Sequence, residues 1–279
     1  MGKILVTGGA GYIGSHTVVE LQQEGYEVVI ADNLSNSSPD VPDRIARITG
    51  KQSPFVRVDL TDAGATDALF RDHPGISSVI HFAAFKAVGE SVAFPLKYYR
   101  NNILSLINIL ESMNKHGVRD LVFSSSCTVY GQPDLLPVRE DTPVRPASSP
   151  YGNTKQICEE IITDTSAEGT IHACLLRYFN PIGAHASTLI GELPTGVPDS
   201  LMPYITQTAI GKRPFLRVWG DDYNTPDGTA IRDYLPVTDL AKAHIRALDR
   251  MASGRASKPV EMFNLGTGHG FSVMEVIRS

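Results

Sequence analysis

Tyr151 and Lys155 stand four residues apart in SSPYGNTKQICEE (148–160). At that spacing two side chains share one face of a helix. Ser149 suits the N-cap of such a helix and Pro150 its first turn. A phenol beside an ammonium is a pair for moving a proton. A phenol titrates near 10, so a base working near neutral pH needs that value lowered by about 3, or about 4 kcal/mol. A neighbouring cation acts in that direction. Isolated pairs of this kind are usually surface contacts, so the rest of the chain decides between the readings.

Two upstream stretches supply the context. FSSSCTVYG (123–131) follows an apolar run, which puts Ser124, Ser125 and Ser126 at a sheet edge. Ser126 is read as binding a substrate hydroxyl and passing its proton to Tyr151. VTGGAGYIGSH (6–16) follows the first apolar run and opens a helix. Gly8, Gly11 and Gly14 fit GxxGxxG, and Gly9, Gly11 and Gly14 fit GxGxxG, with Tyr12 and Ile13 inside the motif. Glycines there allow a tight turn and a close backbone approach to a pyrophosphate, which the helix N-terminus attracts. The second apolar run ends at Asp32, 18 residues past Gly14. An acid there accepts both hydroxyls of an adenosine ribose and repels a 2′-phosphate, so NAD is expected over NADP. Asp59, ending the third run, is read either as an adenine contact or as a strand-end cap. A tyrosine base beside a dinucleotide site is a hydride-transfer arrangement, in which the oxidised nicotinamide is a second cation easing ionisation of the phenol.

The elements that position these residues are legible in outline. Strands are expected at KILVT (3–7), YEVVIA (26–31), PFVRVD (54–59), SSVIHFA (77–83), DLVFSS (120–125) and IHACLLRY (171–178). Helical patterns such as Tyr12–Glu24 and Tyr99–Lys115 lie between them. This alternation predicts an α/β fold, a Rossmann-type doubly wound parallel sheet with a smaller substrate-binding region. Residues 1–180 are expected to form the NAD-binding domain and 181–279 the smaller region. Within the latter, 181–235 are rich in Gly and Pro and predict loops and small elements over the sheet's carboxyl edge. VTDLAKAHIRALDR (237–250) predicts a helix with Thr238 as N-cap, and EMFNLG (261–266) a strand, so 236–266 are expected to return to the Rossmann sheet. FSVMEVIRS (271–279) predicts a short helix capped by Ser272.

The 279 residues are 42% hydrophobic and 20% charged, with a net charge of −5. No basic run exceeds Gly211–Arg213, so neither nucleic acid nor an anionic membrane is an expected partner. No apolar run is long enough to cross a bilayer. The opening MGKILVTGG enters a strand at once, so no signal peptide is expected and the cytoplasm is the expected location. Cys127, Cys158 and Cys174 form no CxxC pair and are read as small buried residues. His16, His81, His185 and His244 lack metal-ligand spacing, so no metal is expected; His16 and His81 are expected to satisfy backbone groups. Glu159 and Glu160 are read as a solvated helix face.

With the Gly-rich turn, the serine and the YxxxK pair in place, the chain resembles the extended short-chain dehydrogenase/reductase superfamily. HFAAFKAVGES (81–91), LLRYFNPIGAH (175–185), LMPYITQTAIGKRP (201–214) and DGTAIRDYLPVTDLAKAH (227–244) are similar to the UDP-glucose 4-epimerase family, and the likeness runs from Gly2 to the last residue. The resemblance implies interconversion of UDP-glucose and UDP-galactose, part of galactose metabolism, with a tightly held NAD. Tyr151 would take the 4-hydroxyl proton while C4 passes a hydride to the nicotinamide. The keto sugar would then rotate and receive the hydride on its other face. The implied NAD contacts are Gly8, Gly11, Tyr12, Ile13, Gly14, Asp32, Asn33, Asn36, Asp59, Leu60, Phe82, Ala83, Lys86, Asn101, Tyr151, Lys155 and Tyr178. The implied substrate contacts are Lys86, Ser126, Tyr151, Phe179, Asn180, Ser200, Leu201, Arg217, Trp219 and Arg232. Arg232 suits a diphosphate because a guanidinium forks onto two oxygens. Trp219 stands where phenylalanine is usual and is read as a uracil stack or as a core aromatic. A homodimer is implied, with Tyr99–Lys115 as a candidate face.

The chain also departs from the family pattern. PDSLMP stands for PNNLMP, which puts Ser200 in place of an asparagine that helps hold the diphosphate. DYLPV stands for DYIHV, GELPTG for GEDPxG and SSSCTVYG for SSSATVYG. The family pattern also runs on beyond Ser279, so the UDP-sugar-binding region is expected to be incomplete at its C-terminal end. These departures motivate an alternative: a catalytically weak NAD-binding remnant with a regulatory or binding role. A 4,6-dehydratase is a further alternative, disfavoured because Cys127–Thr128 stands where that reaction needs an acid and a base.

Overall fold

The computed structural model describes residues 2–279. Seven strands form one parallel sheet: β1 (Lys3–Thr7), β2 (Val28–Asp32), β3 (Phe55–Arg57), β4 (Ile76–His81), β5 (Asp120–Ser124), β6 (His172–Tyr178) and, after two strands of a second sheet, β9 (Val260–Leu265). Their order across the sheet is β3-β2-β1-β4-β5-β6-β9. Alternation within β1 shows why both faces need covering. Leu5 points to one side, with Val29, Val79, Leu121 and Leu175. Ile4 and Val6 point to the other, with Ile30, Ile80, Val122 and Leu176. Continuous apolar strands therefore feed two cores rather than one.

Helices α1 (Tyr12–Gln23), α2 (Val41–Thr49), α3 (Ala63–Asp72), α4 (Val88–Ala93), α5 (Pro95–His116) and α6 (Pro150–Ser166) connect the strands. The Leu5 face is closed by Leu69 of α3, Leu106, Ile109 and Met113 of α5, and Ile162 of α6. The other face is closed by Val18, Val19 and Leu21 of α1, Ile45 of α2, and a later helix through Ile245 and Leu248. The second sheet has the order β10-β8-β7, from β7 (Asn180–Ile182), β8 (Ile231–Pro236) and β10 (Gly270–Ser272). Helix α7 (Leu201–Ala209) precedes β8, α8 (Val237–Ala252) follows it, and α9 (Val273–Arg278) ends the chain.

Several boundaries differ from expectation. Helix α5 starts at Pro95, four residues before Tyr99, because Pro95 fits the first turn. Thr238 does not cap α8: β8 runs straight into the helix and Pro236 stands at the N-cap without a side-chain bond. Ser149 caps α6 by accepting from the Gly152 N–H at 3.1 Å. Ser272 and Glu275 form a reciprocal capping box on α9. Strand β9 pairs in parallel with β6 from Ala173↔Val260 to Tyr178↔Leu265.

What the fold does for function is set by β1. Its neighbours β2 and β4 lead the chain away in opposite directions, which opens a crevice at the carboxyl ends of the strands.

Candidate active site

The Gly-rich turn lies in that crevice between β1 and α1. Gly8 has φ +67°, and a Cβ there would sit 2.8 Å from the Ala83 N. A Cβ on Gly14 would lie 2.2 Å from the Gly8 carbonyl oxygen. Helix and turn thus touch backbone to backbone, which only glycine allows. Helix α1 begins with no side-chain cap and no acid in its first turn, so its positive end faces the crevice uncompensated. We expect Gly14→Ala to destabilise the fold by about 1–3 kcal/mol through overpacking and to strip the dinucleotide site. Thermal melting and the nucleotide content of the purified variant check this.

Asp32, at the end of β2, is pinned on both oxygens. Oδ2 accepts from the Ala10 N–H at 3.1 Å, and Oδ1 accepts from the Leu34 N–H at 2.8 Å and the Ser37 hydroxyl at 2.9 Å. A carboxylate has about four acceptor positions, so in this conformation it has room for one further donor, not two. Asp59 caps its own strand end, accepting from the Thr61 N–H and hydroxyl, and its side of the crevice is shared with Leu60.

A segment after β7 crosses the crevice. Tyr12 donates to the Gly183 carbonyl at 2.7 Å, and Arg44 to the Leu189 carbonyl at 3.1 Å. Thr195 donates to Asn36 at 3.1 Å, while Lys86 pairs with Glu192 at 3.0 Å. Ser200 also donates to Glu192, at 2.8 Å. The enclosed cleft has a volume of about 1010 Å³.

Ser126, Tyr151 and Lys155 converge at one end of this cleft. Lys155 is buried; its Nζ donates to the Ser124 carbonyl at 2.6 Å and lies 4.7 Å from the centre of the Phe123 ring. Burial pushes the ammonium down to about 8. The Ser124 hydroxyl pairs with Tyr178, whose phenol burial pushes up to about 12. His81 lies beneath, its Nδ1 2.8 Å from the Thr7 hydroxyl, and burial, then Lys155, push it down to about 3. His81 therefore satisfies a side chain, while His16 satisfies the Tyr12 carbonyl at 2.7 Å.

The chain's own groups do not by themselves lower the Tyr151 phenol. Burial raises that phenol well above the ordinary value, with Tyr178 adding to the rise and Ser126 opposing it. The Lys155 ammonium does not offset this rise, because burial penalises the phenolate.

The cleft gathers most of the expected site residues. Gly8, Gly11, Tyr12, Ile13, Gly14, Asp32, Asn33, Asn36, Asp59, Leu60, Phe82, Ala83, Lys86, Asn101 and Tyr178 line it, as do Phe179, Asn180, Ser200, Leu201 and Arg232. Arg217 and Trp219 do not line it. They sit in an extended coil that no element covers, with Trp219 75% exposed and the Arg217 guanidinium 5.9 Å from its ring. Trp219 is thus not a core aromatic.

Glu159 is the clearest misreading. It is buried, not solvated, and forks onto Arg177 at 2.9 and 2.5 Å, while Glu160 is exposed. Its signal was the arginine inside the apolar run CLLRY, which must find a buried anion. Cys158 and Cys174 are buried, whereas Cys127 is only partly so. Among the described residues there is no metal-binding cluster and no helix long and apolar enough to cross a membrane.

A parallel doubly wound sheet with a dinucleotide crevice and a Ser-Tyr-Lys cluster defines a nucleotide-dependent oxidoreductase-like class. Residues 4–266 match the NAD dependent epimerase/dehydratase family, and the chain belongs to that family. It is 54% identical over 276 residues to UDP-glucose 4-epimerase of Dictyostelium discoideum, covering 99% of this chain and 79% of that one. It is 52% identical to UDP-glucose 4-epimerase of Bacillus subtilis, covering 99% and 80%. Among solved structures, UDP-glucose 4-epimerase from Bifidobacterium longum with NAD+ and UDP superposes with a TM-score of 0.94 at 47% identity, covering 99% of this chain and 81% of that one. The Stenotrophomonas maltophila enzyme with NAD and formylated UDP-arabinopyranose also gives 0.94, at 51% identity, covering 100% and 82%.

Proposed function

We infer that this chain is an NAD-dependent UDP-glucose 4-epimerase, interconverting UDP-glucose and UDP-galactose. The observation that carries this is the convergence of Ser126, Tyr151 and Lys155 on one cleft with the uncapped glycine turn. The glycine cradle, which an added Cβ would fill, fits a pyrophosphate. NAD, when bound, would supply a reversible hydride acceptor for the sugar's C4.

Every other role falls to the chain's own side chains. Residues 1–180 hold the dinucleotide, with Asp32 on a ribose hydroxyl and the α1 N-terminus on the phosphates. Tyr151 takes the proton of the 4-hydroxyl through Ser126 and gives it back to the opposite epimer. Lys155 holds a positive charge near the phenol and orients the nicotinamide ribose. Residues 181–279 form the sugar-nucleotide side, where Ser200, Leu201 and Arg232, with Asn180 at the edge of the first domain, face the UDP moiety and Arg232 meets its phosphates. Tyr178 and Phe179 close the floor. The strap between Gly183 and Ser200 keeps the dinucleotide from exchanging.

Two finer points belong to the same proposal. Val92 of α4, Phe94 between the two helices and Leu96 and Leu104 of α5 are exposed, which supports a homodimer through this helical face. Three free thiols support a reducing, cytoplasmic setting.

The test is conversion of UDP-galactose to UDP-glucose with no NAD added. We expect turnover without a second substrate, since the oxidation is reversed on site. A folded, NAD-loaded sample that leaves the sugar unchanged overturns the reading.

A further inference from the structure

The two segments that carry the reacting groups, and strand β6 beside them, meet at one buried carboxylate. Glu159 lies on α6, one turn past Lys155 and two past Tyr151. Its Oε1 accepts from the Ser125 hydroxyl at 2.5 Å and from Arg177 Nε at 2.9 Å, and Oε2 accepts from Arg177 Nη2 at 2.5 Å. Ser125 is the residue between Ser124, whose carbonyl takes the Lys155 ammonium, and Ser126. Arg177 is the β6 residue next to Tyr178, which pairs with Ser124. Arg177 also donates to the Tyr130 hydroxyl at 3.1 Å, and Tyr130 donates to Asn264 of β9 at 2.6 Å. Glu159, Arg177, Ser125 and Tyr130 are all buried.

Stability does not explain this arrangement. A buried ion pair contributes little beyond what apolar residues of the same volume would supply, and often less. Its geometry does have a consequence. The fork fixes two planar groups in one orientation, and a further lone pair on Oε1 fixes the serine run. We propose that Glu159, clamped by Arg177, is a positioning residue for the epimerisation: through Ser125 it sets the serine run against α6 so that Ser126, Tyr151 and Lys155 converge. The inference rests on the roles assigned to those three residues above.

The same carboxylate also acts on Lys155 through space. Facing Lys155 are the Ser124 carbonyl and Phe123 ring of β5, His81 of β4, and Cys158 and Glu159 of its own helix; Tyr178 of β6 pairs with Ser124. Glu159 is the one carboxylate among these groups, and it favours the charged lysine.

The test uses the double variant Glu159→Met/Arg177→Met in the NAD-loaded protein. Melting temperature and UDP binding by calorimetry are expected to stay at the parent values. The expected kcat falls about 100-fold, as for a reacting group misplaced by about 1 Å, with KM changed less than about twofold. Ser125→Ala, which leaves the ion pair intact, is expected to lower kcat about tenfold at an unchanged melting temperature. Glu159→Gln is expected to move the alkaline limb of the kcat–pH profile to lower pH, because Lys155 loses its anion. Parent-like kcat in Ser125→Ala, or in a folded double variant, overturns the inference even if the parent epimerises UDP-galactose. An inactive parent overturns the functional reading instead.

Discussion

Tyr151→Phe is expected to lower kcat by about 100- to 10,000-fold, the span of a lost general acid–base group. The change removes one oxygen from a side chain that lines the cleft between Ser126 and Lys155. It leaves the ring, its neighbours Tyr178 and Tyr98 and the Ser149 cap of α6 in place. Folding and UDP affinity are therefore expected to survive, and the loss should fall on kcat rather than KM. Burial holds this phenol protonated in the free protein. The phenolate is consequently a species the site must create with positive charge, and Lys155 is the chain's own source of it.

Lys155→Met is expected to cost about 100- to 1,000-fold in kcat, as when one electrostatic donor is taken from a preorganised site. Its effect on stability runs the other way. Burial displaces the lysine from 10.5 to about 8, which corresponds to about 3 kcal/mol against the charged form. The unfolded chain holds this proton more tightly than the native protein does. The penalty is present in full below about 8 and fades as pH rises toward 10.5, so wild-type stability gains with pH across that window. Methionine removes the charge, so the variant's melting temperature at pH 7 is expected to equal or exceed the parent's. Calorimetric melts at pH 7 and pH 10 check both signs: the gap between the two proteins should narrow at the higher pH.

The sheet was legible because its strands are buried on both faces. Runs such as KILVT and DLVFSS need few polar positions, and β1 matches KILVT residue for residue. Helix α2 was not legible: Pro42 and three charged residues crowd VPDRIARIT, and only Ile45 is buried. The glycine turn, Asp32 and the YxxxK pair were readable because local spacing sets them. Residues whose role depends on distant partners were not. Glu159 looks solvated until β6 brings Arg177 to it, 18 positions along the chain. Trp219 gave no periodic signal in either direction, and its coil leaves it outside the cleft. Burial, which raises the Tyr151 phenol, likewise belongs to the assembled fold and not to a pair of neighbours.

The most direct measurement follows deuterium carried at C4 of UDP-galactose through the reaction in ordinary water, without added nucleotide. If Tyr151 moves only the hydroxyl proton while the carbon's hydrogen leaves and returns inside the cleft, the UDP-glucose formed keeps its C4 deuterium. Loss of that deuterium to water would mean that the carbon is deprotonated by a side chain, and would contradict the account.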